Sequence, residues 1–228
     1  MDLDGDGRGD LVSGSYAARI FLWRGAEGGG FGKREEAVVL THEAFKDGHV
    51  ACHAVDWDGD GDPDLLAGSR RGLVLLIENA GTPKEPKFAE PRPLAAGDEP
   101  LRTPAGDAGP HAADWDGDGD LDLLVGDDAG RVTLYRNAGT RKAPRLDAGT
   151  ELLPPQGGRV VEDRCRGAET CAMRAKPWVA DWNGDGLPDL LVGDFHDHRT
   201  DALKGNEHMH GWVWVYLGGK SPGATPGR

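Results

Sequence analysis

The chain lacks any run of about 18 consecutive apolar residues, so none of its 228 residues reads as a membrane-spanning helix. It also lacks the common signatures of chemistry. There is no Gly-x-Ser-x-Gly, no His-Glu-x-x-His and no glycine loop built to cradle a phosphate. A basic surplus is missing too: 26 Lys and Arg face 39 Asp and Glu, for a net charge of −13, which argues against a nucleic-acid partner. The Arg70-Arg71 pair and the Arg164 to Arg174 stretch are too small to reverse that balance and read as solvated turns. Cysteine is scarce, at three residues. Cys52 sits in an apolar segment and reads as a small core residue. Cys165 and Cys171 lie in a polar insertion, where export would permit a disulfide staple, although two free thiols remain the alternative.

What the chain has is glycine, 36 residues of it, and aspartate in one recurring pattern. The pattern occurs four times. The copies are Asp2-Leu-Asp4-Gly-Asp6-Gly-Arg8-Gly-Asp10, Asp56-Trp-Asp58-Gly-Asp60-Gly-Asp62-Pro-Asp64, Asp114-Trp-Asp116-Gly-Asp118-Gly-Asp120-Leu-Asp122 and Asp181-Trp-Asn183-Gly-Asp185-Gly-Leu187-Pro-Asp189. Side-chain oxygens stand at the first, third, fifth and ninth positions. The seventh position, Arg8, Asp62, Asp120 or Leu187, can offer its backbone carbonyl. An oxygen-only shell of this kind suits a hard divalent cation such as Ca²⁺. The glycines let the chain curl with positive φ. Carboxylates crowded this closely repel one another unless a cation lies among them. The loops hold 17 of the acids. Four bound Ca²⁺ ions would bring the net charge to about −5, so the acidity is largely metal-site charge.

An EF-hand would carry a bidentate Glu at the twelfth position, between helices. Here that position is Ser13, Ala67, Val125 or Val192. The segments after the loops, such as Asp64-Leu-Leu-Ala-Gly and Asp122-Leu-Leu-Val-Gly, are short apolar runs stopped by Gly, as buried strands are. A second strand follows a turn in each copy: Arg19-Ile-Phe-Leu-Trp23, Leu73-Val-Leu-Leu-Ile77, Arg131-Val-Thr-Leu-Tyr135 and Gly211-Trp-Val-Trp-Val-Tyr216. Val50 to Val55 and Pro177 to Ala180 are strand candidates ahead of their loops. The segments Ala37 to Leu40, Phe88 to Leu94 and Leu146 to Leu153 are weaker outer strands. The loop therefore joins two strands of a small antiparallel sheet. The first aspartates stand at 2, 56, 114 and 181. Repeats of that size with about four strands each suggest propeller blades rather than solenoid rungs. The phrase Glu78-Asn-Ala-Gly-Thr-Pro83 returns as Arg136-Asn-Ala-Gly-Thr140 and reads as one repeated turn leading to the outer strand.

An apolar strand, the Asp-x-Asp/Asn-Gly-Asp-Gly-x-x-Asp loop, Leu-Leu-Val-Gly and a Gly-x-Val-x-Leu-Tyr strand together resemble the FG-GAP or VCBS repeat, over residues 2 to about 217. The resemblance implies an all-β fold of calcium-bearing propeller blades, as in integrin α-subunit heads and many bacterial secreted proteins. It leaves activity open, because such repeats host adhesion modules, sugar-binding modules and polysaccharide lyases. The expected blades are about 1–41, 48–95, 109–154 and 159–217, with three, four, four and three strands, and 218–228 as a disordered tail. That count favours an incomplete arc of a larger propeller, with a closed four-bladed ring as the alternative. The chain begins inside a loop and shows no signal peptide. Weak, monodentate calcium sites nevertheless suit a calcium-rich setting. The expectation is a piece of a longer exported protein, at the cell surface, outside the cell or in the periplasm, with further blades or domains beside it.

Three sets of residues could carry more. Trp57, Trp115 and Trp182 share the second loop position with Leu3; packing against a neighbouring blade is the expected role and sugar stacking the rival. His53 and His111 stand three residues before their loops, where the fourth copy has Trp178, and a recurring place suits packing better than catalysis. The segment from Asp194, His196 and His198 to His208 and His210 replaces a short turn with what reads as an enlarged loop. It could hold a ligand, a second metal or an acid–base pair. The composite expectation is a recognition or scaffold module for protein or polysaccharide ligands, not a nucleic-acid binder. A polysaccharide lyase or hydrolase working through residues 194–210, or through missing blades, is the alternative.

Overall fold

The computed structural model describes residues 1–155, 173–198 and 208–219. The Cys165–Cys171 segment and most of the expected tail lie outside the described residues.

Four antiparallel sheets follow one another along the chain, in the order the loops suggest. The first holds β1 (Leu11–Gly14), β2 (Arg19–Gly25) and β3 (Phe31–Val39). A short 3₁₀ turn, Glu43–Phe45, leads to β4 (Val50–Val55), β5 (Asp64–Ser69), β6 (Val74–Ile77) and β7 (Arg92–Pro93). A two-stranded ribbon of β8 (Ala95–Ala96) and β9 (Glu99–Pro100) intervenes. The third sheet is β10 (Gly109–Ala113), β11 (Asp122–Gly126), β12 (Val132–Tyr135) and β13 (Thr150–Leu153). The fourth is β14 (Met173–Ala180), β15 (Asp189–His198) and β16 (His208–Tyr216). Among the described residues the strand counts of three, four, four and three match the sequence reading. No described helix is long and apolar enough to cross a membrane.

The departures have local causes. The outer strand β7 is two residues long, where Phe88 to Leu94 was expected, because Pro86, Pro91 and Pro93 cannot donate to a ladder. Leu146 forms isolated bridges with Asn137 and Ala96, which leaves β13 to begin at Thr150. The segment Gly109-Pro-His-Ala-Ala113 is a full inner strand despite having no β-branched residue; pairing to Asp122–Gly126 on one side and burial against the neighbouring blades override propensity.

Adjacent blades are joined by a seam that repeats three times. The backbone N–H of Val50, Ala108 and Ala175, six residues before each loop, donates to the carbonyl of Ser15, Ser69 and Asp127 in the blade before, at 3.0 Å in every case. The carbonyls of those same three donors lie against glycine. A Cβ on Gly14, Gly68 or Gly126 would stand 2.1, 2.2 or 2.0 Å from the oxygen of Val50, Ala108 or Ala175. Gly14, Gly68 and Gly126 thus do more than end a strand: each lets the next blade's inner strand approach.

Beside the seam, each blade presents one face to its successor. Trp57, Leu66, Val74 and Leu76 of the second blade pack on Leu123, Val125 and Tyr135 of the third. Leu124, Val132 and Leu134 of the third, with Trp115 alongside, pack on Ala175, Leu190 and Val192 of the fourth. Ile20 and Val12 of the first pack on Leu65, Ala67 and Leu75 of the second. Trp57 and Trp115 therefore serve as plugs between blades, the packing role expected of them. The fourth blade's outer face and the first blade's opposite face stay exposed at Val213 and Leu11, so the described blades form an open arc, not a closed four-bladed ring.

The inner strands of successive blades lie beside one another. Seven residues before the loops stand His49, Asp107 and Arg174, with φ of 49°, 52° and 56°, a region costly for side-chain-bearing residues. That backbone brings three different side chains together. His49 Nδ1 lies 3.0 Å from one Asp107 oxygen, Arg174 Nε lies 2.9 Å from the other, and Lys176 Nζ donates to the Asp107 carbonyl at 3.0 Å. Burial alone would raise the Asp107 carboxyl, but His49, Lys176 and Arg174 together hold it below the usual range. Three residues before the loops, His53, His111 and Trp178 stack in sequence, with ring centroids 4.3 and 4.5 Å apart. His111 Nε2 accepts the Val179 N–H at 3.1 Å, which fixes it as a neutral acceptor. Burial pulls His53 down to about 4, and burial plus the neighbouring His53 pulls His111 down to about 3.

Two outcomes are expected. Gly126→Ala should cost about 3 kcal/mol of unfolding free energy by denaturant titration. Gly193→Ala, at the matching place in the fourth blade, where a Cβ would meet only Lys176 O at 3.8 Å, should change it by less than about 1 kcal/mol. The histidine stack sets an acid limit. The unfolded chain takes up protons near pH 6.5 and the folded chain does not until about pH 4 at His53, so stability is full above 6.5 and falls as the pH drops. Between pH 7 and pH 5, in chelator, the loss due to His53 should be about 2 kcal/mol. His53→Phe should remove that part of the slope; a slope unchanged by the substitution would contradict the assignment.

Candidate metal centre

Each loop is folded by its own carboxylates. The first aspartate draws the backbone around itself: Asp2, Asp114 and Asp181 each accept N–H bonds from the fourth, fifth and sixth residues, at 2.8–3.2 Å. Asp56 keeps the first of these, from Gly59 at 2.8 Å. The fifth-position carboxylates of Asp6, Asp60, Asp118 and Asp185 accept the N–H of Arg8, Asp62, Asp120 and Leu187 at 2.8–2.9 Å. The third-position oxygens of Asp4, Asp58 and Asn183 accept from the fifth residue's N–H. Gly5, Gly59, Gly117 and Gly184 bend the chain with φ of 71°, 72°, 80° and 75°. These turns aim the oxygens inward.

Three of the four loops gather three carboxylates around one point. The groups are Asp2, Asp4 and Asp6; Asp56, Asp58 and Asp64; and Asp114, Asp116 and Asp118, with their ligand atoms all within 4.8 Å of one another. Oxygens bound to one Ca²⁺ at about 2.4 Å can lie at most about 4.8 Å apart, so each group fits a shared calcium ion. The fourth loop differs in charge: Asn183 replaces an acid, and its amide donates to Asp185 at 3.1 Å. At the seventh position Arg8 turns its guanidinium onto the Asp6 carboxylate. Asp62 and Asp120 are partly or fully exposed there, and burial together with the charges of Asp60, Asp56 and Asp58 raises the Asp62 carboxyl.

The ninth aspartate does a second job in every blade. Asp10, Asp64, Asp122 and Asp189 are buried, and one oxygen of each accepts the N–H of loop residue Leu3, Trp57, Trp115 or Trp182 at 2.8–3.2 Å. The other oxygen accepts an N–H at or just past the end of the strand paired to the one that follows the loop, from Gly25, Asn79, Asn137 or Gly218, at 2.6–2.8 Å. Gly218, at the head of the expected tail, is thereby part of the fourth blade. Asp64 also joins a metal group, whereas Asp10 and Asp122 stand outside theirs. Burial pushes Asp64 up to about 6 against the pull of its Asn79 and Trp57 bonds, with Asp58 and Asp60 adding to the rise.

The sequence reading missed the partners of these loops. Asn79 and Asn137, in the repeated phrase, each accept two N–H bonds at 2.9–3.0 Å and so build the turn that meets the ninth aspartate. Arginines also lean on the carboxylates from outside: Arg24 on Asp4 at 3.3 Å, Arg136 on Asp116 at 3.4 Å and Arg141 on Asp56 at 3.3 Å. Arg141 comes from the following blade and donates to the Trp57 carbonyl at 2.8 Å. The recurrence of Asn in both phrases was the available signal; nothing local marked the arginines.

The other candidates resolve differently. Residues 194–198 and 208–210 are not a loop but an extension of the β15–β16 ladder, which pairs His196 with His210 and His198 with His208. Asp194, proposed as a ligand, accepts the Trp212 N–H at 3.1 Å and the Trp214 indole N–H at 2.6 Å, so it braces the hairpin. The ladder continues past Gly193 on both strands, so the segment read as a loop is strand up to His198 and from His208; residues 199–207 lie outside the described residues. Cys52 is partly buried in the core as expected, and burial pushes its thiol up to about 12.

Comparison with known proteins agrees with the repeat geometry. A search of curated proteins returns no match. Among solved structures, a chain of the Photorhabdus luminescens Tc holotoxin pore is similar at 21% sequence identity and a TM-score of 0.45, over 93% of this chain and 8% of that one. The chain thus spans a small fraction of that relative's length. The family model of the FG-GAP-like repeat matches three times, over residues 2–67, 56–125 and 114–192, each match running from one loop through the next. The chain belongs to the FG-GAP-like repeat family.

Proposed function

We propose that this chain is a calcium-holding recognition or scaffold module of an exported protein, an arc of propeller blades that presents protein- or polysaccharide-binding surface. The observation that carries the calcium reading is the convergence of three carboxylates in each of three loops, within the span one ion can bridge. The ions would be held by Asp2, Asp4 and Asp6; by Asp56, Asp58 and Asp64; and by Asp114, Asp116 and Asp118. Asp181, Asn183 and Asp185 would form a fourth and weaker site, and seventh-position carbonyls would add ligands. When bound, the cation supplies charge cancellation at the hairpin tip between the first and second strands of a blade. Sites without a bidentate closing Glu fill best where calcium is plentiful, which supports a place outside the cell, at its surface or in the periplasm. A rigid arc whose cations stabilise rather than react suits recognition more than turnover. The lyase or hydrolase alternative gains no support from Asp194, which is spent on Trp212 and Trp214.

Isothermal titration of chelator-treated protein with CaCl₂ tests this directly. Three to four ions should bind, Mg²⁺ should compete poorly, and Asp4→Asn, Asp58→Asn and Asp116→Asn should each remove about one site. Melting temperature should rise with free calcium, by an amount equivalent to about 2.7 kcal/mol per site at a hundredfold excess over Kd. Absence of binding heat at millimolar calcium, with equal melting temperatures in calcium and chelator, would overturn the reading.

A further inference from the structure

The first two joints between blades are built from equivalent residues but leave very different spaces. In the first, Pro86 and Phe88 of the second blade's turn line a gap of about 20 Å³ together with Leu3 and Leu22. In the second, their counterparts Pro144 and Leu146 line a cleft of about 390 Å³ together with Trp57 and Leu94. A volume of that size lies within the range of small-ligand sites, about 300–1,000 Å³. The second blade also carries the β8–β9 ribbon, which no other blade has among the described residues. The Leu94 N–H donates to the Val74 carbonyl at 2.9 Å and the Val74 N–H to the Leu101 carbonyl at 3.2 Å, so the base of the ribbon is held by its own blade. The Gly97 N–H donates to the Leu146 carbonyl at 3.0 Å, so its tip is held by the next. Ala95 and Gly97 of this bridging ribbon line the cleft, which is therefore walled by backbone already hydrogen-bonded on both sides.

The charges along this cleft narrow its occupant. Five of the thirteen lining residues are charged: Asp58, Glu78, Arg92, Lys142 and Arg145. Arg92 donates to Glu78 at 2.6 Å, and Asp58 belongs to the second loop's carboxylate group. Arg145 spends one N–H on the Ala138 carbonyl at 2.9 Å, and Lys142 has no partner among the described residues. The turn that carries these two cations lacks the acid of its twin: Lys84-Glu85-Pro86-Lys87 in the second blade stands against Lys142-Ala143-Pro144-Arg145 in the third. Three cations and two acids thus line a small cleft in a chain whose net charge is −13. We infer that the cleft binds an acidic sugar, a hexuronate free or within a polysaccharide, a reading that rests on the recognition role proposed above but not on occupancy of the loops. The sugar carboxylate takes charge-assisted bonds from Lys142 and Arg145, and its hydroxyls donate to Glu78. A neutral sugar would leave Lys142 without a counter-charge. A bare inorganic anion would leave Glu78 without a donor and most of the volume empty.

Isothermal titration of the whole chain in calcium buffer with galacturonate, trigalacturonate and neutral galactotriose is the test. Trigalacturonate should bind with a Kd of about 1 mM or tighter, and galactotriose at least about tenfold more weakly. Lys142→Glu and Arg145→Glu, both at exposed positions, should each weaken trigalacturonate about tenfold or more, with near-UV circular dichroism unchanged. Lys84→Glu, at the twin position outside the cleft, should change the affinity by less than about twofold. Galacturonate binding as tightly as the trimer marks a free sugar acid as the occupant; a tighter trimer marks a polysaccharide. No binding heat at about 10 mM trigalacturonate overturns the inference. Binding that either cleft variant leaves intact, equal weakening by Lys84→Glu, or equally tight binding of inorganic phosphate or a Glu-rich peptide overturns it as well. Each of these failures is separate from the calcium titration above, which can succeed without a sugar site.

Discussion

The ninth aspartate of each loop is the constraint on which the rest of the blade depends. Its carboxylate is buried and charged, which is costly unless both oxygens find donors. It finds them in two places far apart in sequence, the second loop residue and the residue at or just past the end of the strand paired to the one that follows the loop. One group thereby ties the loop to the sheet. It also sets the backbone of the second residue, whose side chain leaves the loop in a fixed direction. In the second and third blades that side chain is the indole plugged into the next blade. Loop shape and blade-to-blade packing are therefore two consequences of one carboxylate. Its burial pushes Asp64 and Asp122 upward while their hydrogen bonds pull the other way, a balance that marks a charge kept for geometry.

Charge crowding at the loop is relieved from two directions. Inside, backbone N–H groups converge on the first aspartate and make a local nest for its negative charge; in the first loop the Gly7 bond is the largest influence, and Asp2 lies below the usual carboxylate range. Outside, Arg24, Arg136 and Arg141 approach single oxygens without entering the cluster. The inward oxygens remain grouped, so a cation and an arginine can share a carboxylate from opposite sides. Arg141 links two levels of structure. It belongs to the third blade's turn, yet it holds the carbonyls of Asp56 and Trp57 in the second blade. The electrostatics of that loop and the register of the joint beneath it are thus coupled.

The loops, the strand that follows each and the strand counts were legible because they depend on local pattern: a nine-residue motif and short apolar runs ended by glycine. Residues such as Val50–Val55 declared themselves by composition, whereas Gly109–Ala113 did not, since its strand state comes from neighbours on both sides. The grouping of carboxylates was legible and their supports were not. Asp10 and Asp122 read as ligands, and only the fold shows that both of their oxygens also accept backbone N–H bonds, as those of Asp64 do. Asp194 likewise read as a free carboxylate in a loop until the ladder placed two tryptophan donors against it. Arginines that prop a carboxylate from another strand or blade leave no mark on spacing, because the contact closes over long separations such as 85 residues from Asp56 to Arg141.

Repetition at one structural position need not mean one residue type. The place seven residues before the loop holds His49, Asp107 and Arg174, three residues with nothing in common as a sequence pattern. All three adopt the same left-handed backbone, and their side chains meet at one point. Three like residues there would leave unpaired charges or unmet donors. A base, an acid and a cation satisfy one another instead, with Asp107 at the centre and 4% of its side chain exposed. Variation between the repeats is thus complementary across space. The apolar joints would accept any blade of this pattern, because each uses the same aliphatic and tryptophan positions. The axial position would not, since exchanging the third and fourth blades would set Arg174 beside His49 and separate Asp107 from its imidazole partner. Blade order in this chain is therefore written less in the shared motif than in the one position where the motif's neighbours differ.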